Sequence, residues 1–319
     1  MRSLFTAASL LALAACSDAV TEAPAPEADQ PPVSTDETQR PAQPDHWMAG
    51  VNLTAYLDCA REQDVTLLQA HRAGDRPGAA ENSIGSIEAS LNDGAIFMEI
   101  DVAQTADGVL VLLHDDTLDR TTTGTGRLDA LTYAEIENLQ LVDVDGTVLN
   151  ETIPTFADTL AYLDGRGIAQ VDLKDISFEQ VATALTEADA IDRSVVITYS
   201  IEDAITLAGL LPDVALSVGV RSVNDLTRLT TGGVDLTKAT IWLGVGTGRP
   251  ELDAALAELG IETSYGDFGG ERNGTVDYQL LADNGAEVIS VDDVQAAAAA
   301  LNSAQAGRTL LANCPAAQG

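Results

Sequence analysis

The chain has 319 residues, and its 50 acidic and 16 basic side chains give a formal net charge of −34. This excess of negative charge repels phosphate backbones and anionic membrane surfaces, so nucleic acid is excluded as a general partner. Hydrophobic residues make up 45% of the chain, enough to fill a sizeable core, which excludes disorder throughout. We therefore expect any function to reside in a focused pocket that binds a small molecule.

The first 15 residues have the pattern of a secretory signal, with Arg2 ahead of a mostly apolar run. The run is too short to span a bilayer. It ends in Leu-Ala-Ala-Cys at residues 13–16, which resembles a bacterial lipobox and implies lipidation of Cys16 after cleavage. An ordinary secretory signal followed by a chance cysteine is the alternative. The lipobox predicts an extracytoplasmic protein that faces the periplasm and is anchored to a bacterial membrane by lipid alone. Ser17 behind the cysteine favours an outer membrane, where one exists.

Residues 16–50 are rich in Pro, Ala, acidic and hydroxyl side chains, with few large apolar residues. Such a segment buries too little surface to order itself, and we predict a disordered tether. Residues 51–319 are predicted to form one domain, which we expect to be monomeric. Cys59 and Cys314 stand near its two ends, where a disulfide between them and two free thiols are both open alternatives.

Within this domain, apolar runs rich in Val, Ile and Leu alternate with amphipathic helical stretches, a pattern typical of a parallel sheet covered by helices. The predicted strands are 66–70, 96–102, 109–113, 169–173, 195–199, 214–218, 240–243, 261–264 and 288–291. The turn between the second and third strands is too short for a parallel crossover, so the third must fold back as an antiparallel hairpin. The other eight predict an α/β fold, the (β/α)8 TIM barrel, with its active site at the carboxyl ends of the strands. A doubly wound sheet is the alternative.

Acidic side chains interrupt two of these strands. Glu99 and Asp101 are two residues apart, so the period of a strand places both on one face, and the same spacing brings Asp172 and Lys174 together. Three inward carboxylates repel one another, and Lys174 alone does not offset them. A divalent cation is the natural remedy, and oxygen ligands favour Mg²⁺ or Ca²⁺. Pairing of the acids with nearby arginines is the alternative.

Two of the three histidines end apolar strands on either side of these carboxylates. His71 follows the first strand, and His114 follows the returning strand of the hairpin. Imidazole titrates near neutral pH, so the pair is predicted to serve as general acid and general base. A purely structural role is the alternative for either residue alone.

Five separated motifs follow one another in the first half of the domain. They are His71-Arg72-Ala73-Gly74, Glu81-Asn82-Ser83, Glu99-Ile100-Asp101-Val102, His114-Asp115 and Arg120-Thr121-Thr122. In this order and spacing they resemble the glycerophosphodiester phosphodiesterase family. The resemblance extends over residues 66–301 and includes the Asp172-x-Lys174 strand and Asp292 after the last strand.

The resemblance implies a barrel enzyme that hydrolyses glycerophosphodiesters to sn-glycerol 3-phosphate and an alcohol. It implies one divalent cation, Mg²⁺ or Ca²⁺, held by Glu99, Asp101 and Asp172. The other implied roles are proton exchange by His71 and His114, binding of the substrate phosphate by Arg72 and Lys174, and support by Glu81 and Asn82. Direct attack by water and a cyclic phosphate formed by a substrate hydroxyl both remain open.

The sequence departs from the family pattern in three places. Ala73 stands where the family has glycine, Asp172 stands where the third acid is usually glutamate, and residues 264–267 read Ser-Tyr-Gly-Asp where the family has a Trp-Thr segment. The last departure alters the pocket for the alcohol. A phospholipase D-like or lysophospholipid hydrolase on the same barrel, and a binding lipoprotein without turnover, are the alternative functions.

Overall fold

The computed structural model describes residues 46–318. The predicted signal segment, Cys16 and most of the predicted tether lie outside the described residues.

Strands β1 to β11 are numbered in chain order over this part of the chain. They are β1 (Leu67–Ala70), β2 (Phe97–Gln104), β3 (Leu110–Leu112), β4 (Gln140–Val142), β5 (Val148–Thr152), β6 (Ile168–Leu173), β7 (Ser194–Thr198), β8 (Ala215–Gly219), β9 (Ala239–Val245), β10 (Thr263–Gly266) and β11 (Val288–Val291). Eight of them pair in parallel in the order β1-β11-β10-β9-β8-β7-β6-β2, and β2 pairs back with β1. The sheet is therefore closed. This confirms the predicted (β/α)8 barrel and excludes an open, doubly wound sheet.

Residues 46–318 contain twelve α-helices, most of which lie between the barrel strands and cover the outside of the sheet. They are α1 (Leu53–Glu62), α2 (Ile84–Asp93), α3 (Tyr133–Ile136), α4 (Phe156–Leu163), α5 (Phe178–Glu187), α6 (Ile201–Leu210), α7 (Val223–Thr231), α8 (Pro250–Ala257), α9 (Phe268–Asn273), α10 (Tyr278–Asp283), α11 (Val294–Leu301) and α12 (Ala306–Asn313). In the described part of the chain, none has both the length and the apolar character needed to cross a membrane.

An insertion between β2 and α4 adds a small lobe beside the barrel mouth. β3 pairs antiparallel with β2, as the short turn predicts. The lobe also contains an antiparallel ribbon, β4 and β5, which the sequence analysis missed. Its strands are short and largely exposed, so they lack the apolar signature of the barrel strands. The lobe has its own apolar core around Val111, Leu118 and Ile136.

The amino-terminal end of the barrel is closed by apolar packing. The first inward side chains of several strands, among them Leu67, Phe97 and Val288, form one cluster with α1 and the carboxyl-terminal segment. A disulfide joins Cys59 of α1 to Cys314 behind α12. Residues 46–50, which the prediction placed in the tether, form a turn on this end, with Met48 buried in the cluster. The opposite end, at the carboxyl ends of the strands, remains open.

Candidate active site at the barrel mouth

Three carboxylates lie side by side at the open end. Asp101 of β2 and Asp172 of β6 are paired neighbours in the sheet, and Glu99 precedes Asp101 on the same face. They are 3% (Glu99), 1% (Asp101) and 6% (Asp172) exposed. One oxygen from each residue lies within 4.8 Å of the others. The alternation of two neighbouring strands thus builds the acidic triad that the sequence predicts.

The electrostatics of the triad fit a hard divalent cation. Burial, and then the charge of Asp101, raise the pKa of Glu99 to about 8. Lys174 Nζ lies 2.7 Å from Asp172 Oδ2 and 3.0 Å from Asp101 Oδ1, so one ammonium faces three carboxyl groups. Asp172 Oδ1 is buried with no hydrogen-bond partner. These ligand atoms are all oxygens, and Asp172 Oδ1 has lone pairs that no hydrogen bond uses. Such a set suits Mg²⁺ or Ca²⁺, whereas zinc prefers nitrogen and sulfur.

Two further side chains hold the triad in place. Asn82 Nδ2 donates to Asp101 Oδ2 at 2.6 Å, and the backbone N–H of Asp101 donates to Asn82 Oδ1 at 2.9 Å. Asn82 adopts a left-handed backbone with φ of 55°. Tyr199, behind β7, donates its hydroxyl to Asp172 Oδ2 at 2.8 Å. Both contacts fix the directions of the carboxylates before any ligand binds.

His71, directly behind β1, faces the triad. Its Nδ1 donates to Asp292 Oδ1 at 2.7 Å, and its Nε2 lies 4.0 Å from Glu99 Oε2. Burial alone would lower the pKa of this imidazole, but the hydrogen bond to Asp292 and the charge of Glu99 outweigh it and raise the pKa. The ring stacks on Phe268, with centroids 4.5 Å apart. Glu271 steadies Asp292 by accepting its backbone N–H at 2.9 Å.

His114 sits in a different environment. Arg72 Nη2 is 2.8 Å from its Nε2, and Asp115 Oδ1 is 2.8 Å from its Nδ1. A guanidinium only donates, so Nε2 must accept and Nδ1 must carry the proton. His114 is therefore held as a neutral imidazole with an unprotonated Nε2, while the carboxylates around His71 favour the imidazolium.

His114 is one member of a closed ring of hydrogen-bonded side chains. Arg120 binds both oxygens of Glu81 at 2.7 Å and both oxygens of Asp115 at 2.6 and 2.9 Å. Arg72 completes the ring at 3.4 Å from both Glu81 oxygens. The hydrogen bond from Arg120 is the main reason that the pKa of Asp115 falls well below its usual range. Asp115 thus stays an acceptor for His114 Nδ1 over the physiological pH range.

The structure brings the predicted site residues of the barrel together at one mouth. They are His71, Arg72, Glu81, Asn82, Glu99, Asp101, His114, Asp172 and Lys174. The sequence analysis did not assign site roles to Asp115, Arg120 or Asp292. Asp115 and Arg120 lie in the fourth and fifth motifs, so the motifs alone could have indicated them as site residues. Asp292 comes close to His71 only because β11 pairs with β1.

The far wall of the mouth is apolar and aromatic. A cavity of about 260 Å³ lies between the triad and the strands β7, β8 and β9. Its far side is lined by Ile197, Tyr199, Gly219 and Trp242, and Phe268 bounds it next to His71. Gln69 and Ser290, hydrogen-bonded to each other at 3.0 Å, lie among its buried polar lining. Polar and apolar halves therefore face each other across one small space.

A closed (β/α)8 barrel with two imidazoles, an acidic triad, Arg72 and Lys174 at its carboxyl-terminal mouth belongs to the class of barrel enzymes, whose sites lie at this end of the strands. The model of the glycerophosphoryl diester phosphodiesterase family matches residues 71–225. These 155 of the 319 residues match that family, in agreement with the resemblance predicted from the motifs.

Relatives with known names agree over short stretches. Glycerophosphodiester phosphodiesterase 1 of Bos taurus is 42% identical over 95 residues, 29% of this chain and 28% of that protein. The glycerophosphodiester phosphodiesterase of Caldanaerobacter subterraneus is 34% identical over 111 residues, 34% of this chain and 45% of that protein. The chain thus matches between about a quarter and a half of the length of these relatives.

Solved structures agree over the whole barrel. A glycerophosphoryl diester phosphodiesterase from Parabacteroides distasonis superimposes with a TM-score of 0.73 at 24% identity, covering 80% of this chain and 93% of that one. An Oleispira antarctica phosphodiesterase, solved in complex with the product sn-glycerol-3-phosphate, has a TM-score of 0.59 at 19% identity, covering 76% and 99%. At these identities the likeness establishes the fold.

Proposed function

We propose that the protein is a glycerophosphodiester phosphodiesterase that hydrolyses its substrate to sn-glycerol 3-phosphate and an alcohol. The observation that carries the proposal is the placement of His71 and His114 beside a buried triad of carboxylates at one mouth. The family match and the names of the relatives support it, as does the product in the Oleispira antarctica complex. Two proton carriers count against a protein that only binds phosphodiesters.

We propose that Glu99, Asp101 and Asp172 hold one divalent cation, Mg²⁺ or Ca²⁺. When bound, such an ion neutralises the triad and polarises phosphate oxygens. Lys174, beside the triad, and Arg72, beside His114, supply positive charge for the non-bridging oxygens of the substrate. Arg is suited to this by its planar fork and Lys as a point charge.

The two imidazoles take different roles. His114 Nε2 is the base that removes a proton from the attacking hydroxyl, whether this belongs to water or to the substrate. His71, which the carboxylates keep protonated, donates a proton to the oxygen of the departing alcohol. Arg72 covers His114 Nε2 in the free protein, so a phosphate that draws Arg72 to itself exposes the base only when substrate is present.

The proposal is tested with purified protein and glycerophosphodiesters as substrates. We expect release of sn-glycerol 3-phosphate, loss of this activity with EDTA, and recovery on adding Mg²⁺ or Ca²⁺, because EDTA removes the ion that would polarise the phosphate oxygens. The products are separated by chromatography. Formation of a phosphomonoester of the alcohol together with free glycerol would overturn the proposed bond cleavage, and full activity in EDTA would overturn the metal.

The division of roles predicts different responses to a better leaving group. The His71→Ala protein should lose roughly 10²- to 10⁴-fold in kcat on glycerophosphocholine but regain most of it on glycerophospho-p-nitrophenol, whose alcohol needs no proton to depart. The His114→Ala protein should remain impaired on both substrates. Equal rescue of both variants by p-nitrophenol would contradict the assignment.

We propose separately that Cys16 carries a lipid that anchors the protein to a bacterial membrane outside the cytoplasm. The lipobox-like residues 13–16 support this proposal. Cells that express the full chain should yield it in the membrane fraction, and the Cys16→Ala variant should move to the soluble fraction. Equal distribution of both forms would refute the anchor.

A further inference from the structure

The carboxylate of Asp292 sets the direction of the His71 ring. His71 Nδ1 donates to Asp292 Oδ1 at 2.7 Å, so Nε2 is the nitrogen that remains for a substrate. The Asp292 side chain is 39% exposed, and within residues 46–318 its carboxylate makes no hydrogen bond besides the one with His71. The position of this carboxylate therefore depends on the backbone that carries it.

Glu271 holds that backbone from a neighbouring helix. Its Oε2 accepts the N–H of Asp292 at 2.9 Å, and its Oε1 accepts the N–H of Asp293 at 3.2 Å. Tyr278, which is buried, donates its hydroxyl to Oε1 at 2.8 Å. Three donors thus converge on one carboxylate, and an ionised carboxyl group accepts all of them at once.

The helix that carries Glu271 also contacts the imidazole. Phe268 begins α9 and Glu271 lies three residues further along, so the two side chains share one side of the helix. The ring centroids of Phe268 and His71 are 4.5 Å apart. One turn of helix therefore contacts the His71 ring directly and holds Asp292 through its backbone.

The local sequence defines this turn. Asp267 caps α9 by accepting the N–H of Gly270 at 3.0 Å, and Gly274, with a φ of 65°, ends it. A Cβ on Gly270 would collide with the Asp267 carboxylate, so the cap requires glycine there. The turn directly follows residues 264–267, where the sequence departs from the family pattern.

We infer that Glu271 is a positioning residue for His71. It fixes the backbone at Asp292, Asp292 fixes Nδ1 of the ring, and Nε2 is thereby aimed at the oxygen of the departing alcohol. The inference rests on the proposed function, in which His71 donates a proton to this oxygen. Glu271 is not among the residues that line the cavity at the mouth, so its loss should lower kcat and leave KM nearly unchanged.

Two variants separate the reach of Glu271 from its charge. Glu271→Gln keeps the length of the side chain, and its amide oxygen still accepts the Asp292 N–H, so kcat should stay close to that of the wild type. Glu271→Asp keeps the charge but is one methylene shorter and does not reach this N–H. We expect Glu271→Asp to lose roughly 10- to 100-fold in kcat on glycerophosphocholine.

The leaving group shows whether this loss acts through His71. On glycerophospho-p-nitrophenol, whose alcohol needs no proton, Glu271→Asp should regain most of its kcat. In the His71→Ala protein, adding Glu271→Asp should cause no further loss on glycerophosphocholine. Glu287→Asp is the matched control, because Glu287 is a buried glutamate that accepts the N–H of Thr263 at 2.7 Å at the closed end of the barrel. Its ratio of kcat on the two esters should equal that of the wild type.

NMR tests the same contact without turnover. The chain has three histidines, so protein labelled with ¹⁵N at histidine gives few signals, and the His71→Ala variant identifies those of His71. The proton on His71 Nδ1 should be visible in the wild type and in Glu271→Gln, because its hydrogen bond slows exchange with water, and should be lost in Glu271→Asp. The Nδ1 proton of His114, which is bonded to Asp115 at 2.8 Å, should persist in all of these proteins.

The outcomes distinguish this inference from the proposed function. Equal loss on both esters by Glu271→Asp, or no loss on either, would overturn the positioning role and leave the phosphodiesterase intact. A Glu271→Gln protein that is impaired on glycerophosphocholine would do the same. If the wild type hydrolyses neither ester, the proposed function fails and the spectra decide the contact. A His71 Nδ1 proton that is absent from the wild type, or present in Glu271→Asp, would then overturn the inference.

Discussion

Ala73 and Gly74, two and three residues after His71, both have a positive φ, 64° and 88°. The backbone N–H of Arg72, at φ 52°, donates to Glu99 Oε2 at 2.6 Å. The left-handed turn thus aims a backbone donor at the triad, and non-glycine residues in it carry strain of the kind found at functional sites. Ala73, where the family pattern has glycine, therefore carries a methyl group on a left-handed backbone.

Substitution should affect stability much less at position 73 than at position 74. Ala73→Gly relieves the positive φ but loses a buried methyl group, so we expect the free energy of unfolding to stay within about 1 kcal/mol of the wild type. Gly74→Ala places a Cβ 2.5 Å from Ser90 Oγ, which donates to Ala73 O, and should cost about 2 kcal/mol or more. Urea denaturation measures both variants. The reverse order of stabilities would contradict the assigned strain.

At the scale of elements, the strands show what the sequence could predict. The alternation in β2 and β6 predicted the acidic triad, because strand period and burial are local properties. The contact of His71 with Asp292 could not be derived in this way, since it joins residues 221 positions apart through the pairing of β1 with β11. Trp242 and Phe268 likewise reach the mouth only when the barrel closes. The ribbon of β4 and β5 was missed because tertiary contacts of Leu141 and Leu149 stabilise it, rather than a strong local pattern.

The amino-terminal ends of β10 and β11 contain a buried acid without a catalytic role. Glu287 is 4% exposed and accepts the backbone N–H of Thr263 at 2.7 Å. Burial raises its pKa from 4.5 to about 7. The folded protein therefore holds this proton more tightly than the unfolded chain, so this stabilising contribution is full below pH 4.5 and is lost as the pH rises through 7.

The upward shift in the pKa of Glu287 predicts what happens when this residue is replaced by one that does not titrate. Between pH 5 and pH 8 the free energy of unfolding of the wild type should fall relative to Glu287→Gln by up to roughly 3 kcal/mol. Glu88→Gln, at an exposed position of α2, controls for the loss of one negative charge. The measurement is urea denaturation across this pH range. A parallel pH dependence of wild type and Glu287→Gln would show that this carboxyl group is ionised throughout.

At the scale of the whole molecule, the two ends of the folded body are joined covalently. The disulfide between Cys59 and Cys314 spans 255 residues, so it encloses the whole barrel and restricts the unfolded chain strongly. It also fixes α1 against the end of α12, at the closed end of the barrel. The residues to which we assign catalysis are at the opposite end and make no contact with the disulfide.

Removal of this bond should therefore affect stability and spare chemistry. The Cys59→Ser/Cys314→Ser protein should lose about 2–5 kcal/mol of unfolding free energy while retaining its kcat at moderate temperature. Reductant should destabilise the wild type and leave the double variant unchanged. A wild type whose melting temperature is indifferent to reductant would show that the thiols are not joined in solution.

The path of the chain into the barrel has a practical consequence. The turn at residues 46–50 packs on the closed end of the barrel, where Met48 is buried. The described chain therefore begins at the end of the barrel opposite its open mouth. Molecules coupled to a bead or sensor chip through this turn would have that opening on the side away from the surface, where dissolved esters reach it.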